Sequence, residues 1–236
     1  MQAEGLVTDI PHEKRIFRDR REAGRLLAER LSAYRDKKPI VLALPRGGVE
    51  VGYEIARALG APLDVVVARK LGVPGQPELA MGAIGPSGTY VLNEDIVGWL
   101  DISEDELEQI ASRESREMGR RVRLFRSDRP EAMLKGKTVI LVDDGIATGM
   151  TVRAAIEYLH QQEPGHLVLA VPVCAAGTAE ALRSEVDDLV SLKTPLELLA
   201  IGYWYEDFEQ VSDEEVVELL KRSRGGEVRE PKAHEH

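Results

Sequence analysis

The sequence contains little cysteine, few aromatic residues and no surplus of positive charge. Cys174 is the single cysteine, so no disulfide can form within the chain and no zinc site can be built from several thiolates. Lys and Arg total 31 against 41 Asp and Glu, which gives a formal net charge of -10. A chain of this charge is a poor candidate for non-specific binding to nucleic acid or to anionic membranes.

Long apolar runs are also missing. No run reaches the roughly 18 residues that a membrane-spanning helix needs, and residues 1–21 lack the apolar core of a signal peptide. We therefore expect a cytoplasmic protein that does not bind membranes. The 236 residues, 43% of them apolar and 31% charged, suffice for one large folded domain, alone or with a small appendage.

Strand and helix patterns alternate along the chain. Short apolar runs predict strands at 39–44, 63–68, 138–142, 166–173 and 189–192. Helical spacing of apolar residues predicts helices over 17–35, 51–59, 103–126, from 152 onward and over 178–185. This alternation predicts an α/β fold, with an open, mostly parallel sheet flanked by helices.

The composition suggests three regions. Residues 1–195 form the predicted α/β core, which includes the N-terminal helix and a Gly- and Pro-rich stretch at about 70–88. We expect that stretch to be a mobile loop, with a small hairpin after it as a further option. Residues 196–222 form a small C-terminal unit that ends in a helix, and residues 223–236 form a polar tail that we expect to be disordered.

The most unusual chemistry follows the strand at 138–142. Asp143 and Asp144 come first, and the small and hydroxyl-bearing residues up to Thr151 then open a helix. Two adjacent carboxylates can hold vicinal hydroxyls or a hydrated divalent cation, and a helix N-terminus suits a phosphate. Together these groups match a ribose 5-phosphate. The alternative is a tight strand-to-helix turn with an Asp or Thr N-cap; the spacing fits neither a P-loop nor an EF-hand.

Three segments carry a resemblance to a known family. The thirteen residues Val139–Thr151 resemble the phosphoribosyl-pyrophosphate (PRPP) signature of type I phosphoribosyltransferases. Leu44–Gly48 is similar to the pyrophosphate loop of that family, and Arg69-Lys70 to the pair that precedes its flexible catalytic loop. Taken alone, the second segment could be an ordinary βα turn and the third a solvated strand end. The resemblance covers roughly residues 38–195.

The resemblance implies a role for each matching residue. Asp143 and Asp144 would hold the ribose hydroxyls, partly through Mg²⁺ as its ligands, and stabilise positive charge at the anomeric carbon. Arg46, with Gly47 and Gly48, would face the pyrophosphate, after a peptide bond from Pro45 that is often cis in the family. Arg69 and Lys70 would add positive charge near the leaving group. The remaining substrate-binding residues, with the 5-phosphate cradled from Ala147 onward, would be Gly145, Ile146, Ala147, Thr148, Gly149, Met150 and Thr151.

The acceptor is not identified by these motifs. Ala147 stands where hypoxanthine-guanine members have an Asp near the purine, as it does in adenine- and orotate-type members. A general base must then come from elsewhere or be unnecessary, and Glu78 is either a candidate or a solvated loop acid. The family places a hood over the base where this chain has its C-terminal unit. Trp204 or Tyr205 could stack on a flat heterocycle there, or these rings could fill the seam between hood and core.

The function implied by the resemblance is transfer of 5-phosphoribosyl from PRPP to a nitrogen nucleophile, expected to be a nucleobase, with Mg²⁺ as cofactor. A non-catalytic regulator or sensor that binds PRPP is the alternative, although the net charge argues against nucleic acid as its partner. A phosphoribosyl-binding module acting with a separate hydrolase is a third reading; no Gly-x-Ser-x-Gly elbow appears in the chain. Monomer and homodimer both stay open.

Overall fold

A computed structural model describes residues 17–127 and 130–225 of the chain. The strands in these ranges are β1 (Ile40–Ala43), β2 (Leu63–Val65), β3 (Arg69–Val73), β4 (Gln76–Ile84), β5 (Tyr90–Leu92), β6 (Thr138–Val142), β7 (His166–Val173) and β8 (Asp188–Lys193). The α-helices are α1 (Arg20–Arg30), α2 (Gly47–Leu59), α3 (Glu94–Trp99), α4 (Glu104–Arg126), α5 (Met150–Gln161), α6 (Ala176–Leu182) and α7 (Asp213–Gly225). Short 3₁₀ helices cover Ser32–Lys37 and Ile201–Trp204.

Five strands form a parallel sheet in the order β2-β1-β6-β7-β8. The chain proceeds from β1 outward to β2, and from β6 outward through β7 to β8 on the other side. The direction of progress therefore reverses between β1 and β6. Ligands of open α/β sheets bind beyond the carboxyl ends of the strands at such a switch point. The predicted α/β fold with an open, mostly parallel sheet is confirmed.

Both faces of the parallel sheet are buried, which explains why its strands read as continuous apolar runs. In β6, Val139 and Leu141 join the core on one face, and Ile140 and Val142 join the core on the other. Helices α5 and α6 cover the face with Val139 and Leu141. Helices α1, α2, α4 and α7 cover the face with Ile140 and Val142. Each fully buried aliphatic side chain contributes about 1.5–3 kcal/mol of hydrophobic free energy, so this double layer holds β1 and β6 firmly in place.

The Gly- and Pro-rich stretch forms β-strands where the sequence predicted a loop. It forms the antiparallel sheet β3-β4-β5, with the β3–β4 turn at Pro74-Gly75, and this sheet packs on α4 through a core of its own. A Cβ on Gly72 would lie 2.6 Å from the carbonyl oxygen of Pro77, so this glycine permits close approach of two strands. Glycines that signalled a loop therefore serve strand pairing. The mobility of residues 70–88 stays a prediction.

The other sequence-based boundaries are largely reproduced. The strands β6 and β7 match their predicted ranges, and both capping boxes form, Ser103 with Glu106 and Ser212 with Glu215. The N-terminal helix is shorter than predicted, because Asp19 caps it and a 3₁₀ turn follows Leu31. Helix α3, capped by Asn93, was not predicted.

At the ends of the chain, part of the predicted tail is helical. Helix α7 extends through residue 225, so residues 223–225 belong to it, while residues 226–236 of the predicted disordered tail lie outside the described residues. Residues 1–16 lie outside them as well. Within the described ranges, no helix combines the length and the apolar character that a membrane crossing requires.

Replacement of Gly72 by alanine tests the close strand pairing in the small sheet. We expect Gly72→Ala to lower the free energy of unfolding by about 1–3 kcal/mol, because the new methyl meets the backbone of Pro77. Gly98→Ala is the matched control, since Gly98 lies in α3 with open space where the methyl group would be added, and it should stabilise the protein by about 0.5–1 kcal/mol. Urea denaturation measures both; equal effects would contradict the close approach.

Candidate active site

The loop after β1 and the turn after β6 lie against each other at the switch point. Leu44 donates a backbone hydrogen bond to Val142 (2.8 Å), and the following Pro45–Arg46 peptide is cis, as predicted. A Cβ on Gly47 would lie 2.6 Å from Cγ of Asp144, and one on Gly48 would lie 3.0 Å from Cα of Asp143. Only glycines allow the first turn of α2 to approach the acid pair this closely. The two predicted motifs therefore form one site.

The two carboxylates are held by different donors. Oδ1 of Asp143 accepts the backbone N–H of Asp144 (2.8 Å), while Oδ2 of Asp144 accepts Nε of Arg20 (2.7 Å). Burial, and then the negative charge of Asp144, raise the pKa of Asp143 well above its ordinary value; the Arg20 guanidinium opposes this. The pair is thus a place where negative charge is costly and where a ligand that supplies donors or positive charge is favoured.

The turn from Gly145 to Thr151 is held from both sides. Ile146 donates to the carbonyl of Val173 (2.9 Å), and the hydroxyl of Thr178 donates to the carbonyl of Ala147 (2.6 Å). Gly149 is the N-cap of α5 with φ 77°, and no side chain caps this helix. The alternative interpretation of the motif, an Asp or Thr N-cap, is therefore wrong. The amide groups of the first turn of α5 are left for a ligand, as at an anion-binding helix N-terminus.

Several of the predicted turn residues surround this helix start. Gly145 and Gly149 are buried, and Thr148 is exposed; Met150 and Thr151 are half-buried in the first turn of α5. A Cβ on Gly145 would lie 2.5 Å from the side chain of Ile201, so the 3₁₀ helix of the C-terminal unit is packed directly onto the turn. The turn is thus enclosed on one side and open at Thr148.

Arg46 is directed toward the C-terminal helix. Its guanidinium lies 3.7 Å from Oδ1 of Asp213, the first residue of α7, and Arg120 of α4 approaches the other oxygen at 3.6 Å. The backbone of the Pro45–Gly48 loop faces the acid pair, while the Arg46 side chain, 26% exposed, is paired with Asp213. Arg46 is therefore near the site with its charge already partnered.

Arg69 and Lys70 are not joined to the acid pair. Arg69 donates to the Glu114 carboxylate of α4 at 2.7 and 3.0 Å, and Lys70 pairs with Glu78 across the β3–β4 hairpin at 3.3 Å. In the described part of the chain neither forms a hydrogen bond or ion pair with Asp143 or Asp144. Glu78, the candidate base, is 97% exposed.

The aromatic residues of the C-terminal unit mostly fill its seam with the core. Tyr205 is buried between Phe17 and Phe208, with ring centroids 5.4 and 5.0 Å away, and its hydroxyl donates to the backbone carbonyl of Asp144 (2.5 Å). Trp204 packs partly buried against the same cluster. Tyr205 thus fills the seam, as the second alternative predicted, and Phe208 packs beside it. Stacking of Trp204 on a base stays a prediction.

Sequence reasoning missed two residues that contact the signature from outside it. Arg20 donates to Asp144 from 124 positions away, and Thr178 donates to the carbonyl of Ala147. No local pattern marks such partners. Cys174 is buried beside Ile146, and burial raises the pKa of its thiol to about 11.

Comparison with known proteins identifies the family of the chain. The profile of the phosphoribosyl transferase domain covers residues 14–203. The chain belongs to the phosphoribosyl transferase family. It is 44% identical over 209 residues to "Putative phosphoribosyl transferase Rv0571c" of Mycobacterium tuberculosis H37Rv, a match that covers 89% of this chain and 47% of that protein. The chain thus spans about half the length of the curated relatives it matches.

The chain is also similar in fold and sequence to a solved structure. The crystal structure of TT1426 from Thermus thermophilus shares 43% identity, with a TM-score of 0.74 and coverage of 88% of this chain and 98% of that one. A more distant relative is the bifunctional protein PyrR of Chloroflexus aurantiacus, 34% identical over 131 residues, which span 53% of this chain and 65% of that protein. In this member of the phosphoribosyl transferase family, the segment that resembles the PRPP signature thus lies at the switch point of the sheet.

Removal of the Tyr205 hydroxyl tests how the C-terminal unit holds the acid pair. We expect Tyr205→Phe to lower the free energy of unfolding by about 1–3 kcal/mol, because the Asp144 carbonyl loses a buried donor. Tyr203→Phe is the control: Tyr203 is 51% exposed, and its change should stay within about 0.5 kcal/mol. Chemical denaturation measures both, and indistinguishable variants would show that the bond contributes nothing.

Proposed function

We propose that this protein transfers the 5-phosphoribosyl group from PRPP to a nitrogen atom of a nucleobase and releases pyrophosphate. The observation that carries the proposal is the juxtaposition at the switch point. The acid pair, the open start of α5 and the Gly47–Gly48 turn meet there, and the two glycines lie so close to the acids that neither position has room for a side chain. A ligand with a diol between two phosphate groups matches this arrangement of acceptors and amide donors.

The chain's own residues bind and orient the ligand. Asp143 and Asp144 accept hydrogen bonds from the ribose hydroxyls, and their charge stabilises the positive charge that develops at the anomeric carbon. The amides and hydroxyls from Ala147 to Thr151 hold the 5-phosphate. The backbone of Arg46, Gly47 and Gly48 faces the pyrophosphate. Positioning of the two reactants supplies much of the rate, because an oxocarbenium-like centre needs little covalent help.

The acid pair also fits the Mg²⁺ that the family implies. No group of three or more His, Cys, Asp or Glu in the described ranges could hold a metal ion, so a cage made of protein alone is not present there. Mg²⁺ is usually held by one or two carboxylates together with substrate phosphates and water, and Asp143 and Asp144 supply that number. When bound, Mg²⁺ would neutralise charge on the pyrophosphate.

Two predicted cations need new partners in this mechanism. The Lys70 side chain is 41% exposed and that of its partner Glu78 is 97% exposed. Surface ion pairs of this kind contribute only about 0–1 kcal/mol to stability. Lys70 can therefore leave Glu78 and bind a phosphate with little loss of free energy. Arg69 is held more firmly, by two hydrogen bonds to Glu114. We therefore assign contact with the leaving group to Lys70 and electrostatic support to Arg69.

The acceptor site is proposed to lie under the C-terminal unit, with Trp204 beside the base. Ala147 offers no side-chain base in the turn, so deprotonation of the acceptor falls to another group such as Glu78, or is not needed. A non-catalytic PRPP sensor remains the alternative, and it uses the same ligand contacts without turnover.

A panel of acceptors tests transfer. We expect pyrophosphate release from PRPP in the presence of Mg²⁺ and one class of nucleobase, measured by a coupled pyrophosphate assay. Reactions without an acceptor, and reactions with EDTA, are the controls and should show little release. Tight PRPP binding without release across purines and pyrimidines would favour the sensor and overturn transfer to a nucleobase.

The acid pair is tested by ligand-linked stability. PRPP with Mg²⁺ at about 100 times its Kd should add about 2.7 kcal/mol of stability and raise the Tm. In the double variant Asp143→Asn, Asp144→Asn the rise should vanish, because both anionic acceptors are lost. The adjacent, exposed acids of α3, changed in Glu94→Gln, Asp95→Asn, are the control and should keep it. Persistence of the rise in the first variant would show that the acid pair does not hold the ligand.

A further inference from the structure

Arg20 is a buried arginine whose guanidinium contacts three parts of the structure. It is the first residue of α1 and only 7% exposed. Nε donates to Oδ2 of Asp144 (2.7 Å), Nη1 donates to the backbone carbonyl of Glu209 (2.8 Å), and the guanidinium carbon lies 3.8 Å from the centre of the Phe208 ring. Glu50 of α2 adds a longer ion pair at 3.8 Å. With these contacts the guanidinium has a fixed position.

This position fixes the orientation of Asp144. The hydrogen bonds seen in the described residues use one oxygen of each acid, Oδ2 of Asp144 and Oδ1 of Asp143. Oδ1 of Asp144 and Oδ2 of Asp143 accept neither of these two N–H donors. Two such oxygens on consecutive residues can accept one hydroxyl each from a vicinal diol, and hydrogen bonds to charged acceptors are the stronger kind.

The same contact makes Asp144 a poorer ligand for a metal ion. A fixed positive charge at hydrogen-bond distance opposes the approach of a dication to the same carboxylate, since like charges repel more strongly where water is partly excluded. A sugar hydroxyl carries no net charge and does not meet this repulsion. The local electrostatics thus distinguish two ligands that an isolated pair of carboxylates would both bind.

We propose that Arg20 is a specificity-determining and positioning residue, which orients Asp144 toward sugar hydroxyls and disfavours a divalent cation on that carboxylate. The inference rests on the proposed function, because it assumes that the acid pair holds the ribose of PRPP. Of the two acids, Asp143 is then the one at which a divalent cation meets less repulsion, while Asp144 is kept for a sugar hydroxyl.

The test measures two probes that should respond in opposite directions. Ribose 5-phosphate is titrated with EDTA present, by calorimetry, and Mn²⁺ is titrated alone, by electron paramagnetic resonance. In Arg20→Met we expect ribose 5-phosphate to bind about tenfold more weakly, because Asp144 loses its orienting donor, and Mn²⁺ to bind several times more tightly. General damage to the site would weaken both, so it cannot imitate this result.

Two further variants complete the experiment. Arg20→Lys keeps the charge but cannot reach both Asp144 and Glu209, so it should bind Mn²⁺ like the wild type and ribose 5-phosphate more weakly. Arg25→Met is the matched control; Arg25 is on the same helix, pairs with Glu54 at 3.9 Å and should leave both affinities unchanged. If circular dichroism shows that Arg20→Met is unfolded, Arg20→Lys decides.

The outcomes separate this inference from the proposed function. Failure of the wild-type protein to bind ribose 5-phosphate would overturn the proposed function. Binding by the wild type together with unchanged ribose 5-phosphate affinity in Arg20→Lys, or with weaker Mn²⁺ binding in a folded Arg20→Met, would overturn the role of Arg20 alone. Opposite changes of the two affinities in Arg20→Met, or the selective sugar loss in Arg20→Lys, support it.

Discussion

Two carboxylates on consecutive residues, at the end of a buried strand, are the constraint on which the rest of the site depends. Removal from water and the neighbouring negative charge of Asp144 disfavour the charged form of Asp143, whose pKa is raised. Three hydrogen bonds hold the pair in place. The Asp144 amide donates to the Asp143 carboxylate, the Arg20 guanidinium to the Asp144 carboxylate, and the Tyr205 hydroxyl to the Asp144 carbonyl. Each comes from a different element, so the fold converges on this point.

The order of the strands makes that convergence possible. Because β1 and β6 are neighbours, the turns that follow them share one crevice, and Gly47 and Gly48 permit contact between the backbones of α2 and the acid pair. The C-terminal unit then closes the back of the crevice through Ile201 and Tyr205. These contacts already restrict the backbone around the site. A ligand therefore loses less binding free energy to the ordering of the protein.

The sequence predicted the parts of this arrangement that local patterns encode. The apolar run of β6, the acids behind it and both capping boxes depend on residues close in the chain, and their predicted positions agree with the structure. The antiparallel sheet after β2 was predicted as a loop with only an optional hairpin after it, because glycines such as Gly72 mark close strand approach as well as loops. The pairing of Arg20 with Asp144 has no local signature, since it arises only when α1 packs beside the parallel sheet.

The central claim is that the ends of β1 and β6 hold one ligand between them. A crystal structure of the protein with PRPP and Mg²⁺ tests it most directly. We expect the ribose hydroxyls within hydrogen-bond distance of Asp143 and Asp144, the 5-phosphate at the amides from Ala147 to Thr151, and the pyrophosphate against Gly47 and Gly48. PRPP bound elsewhere, or bound with its ribose hydroxyls turned away from both acids, would contradict it.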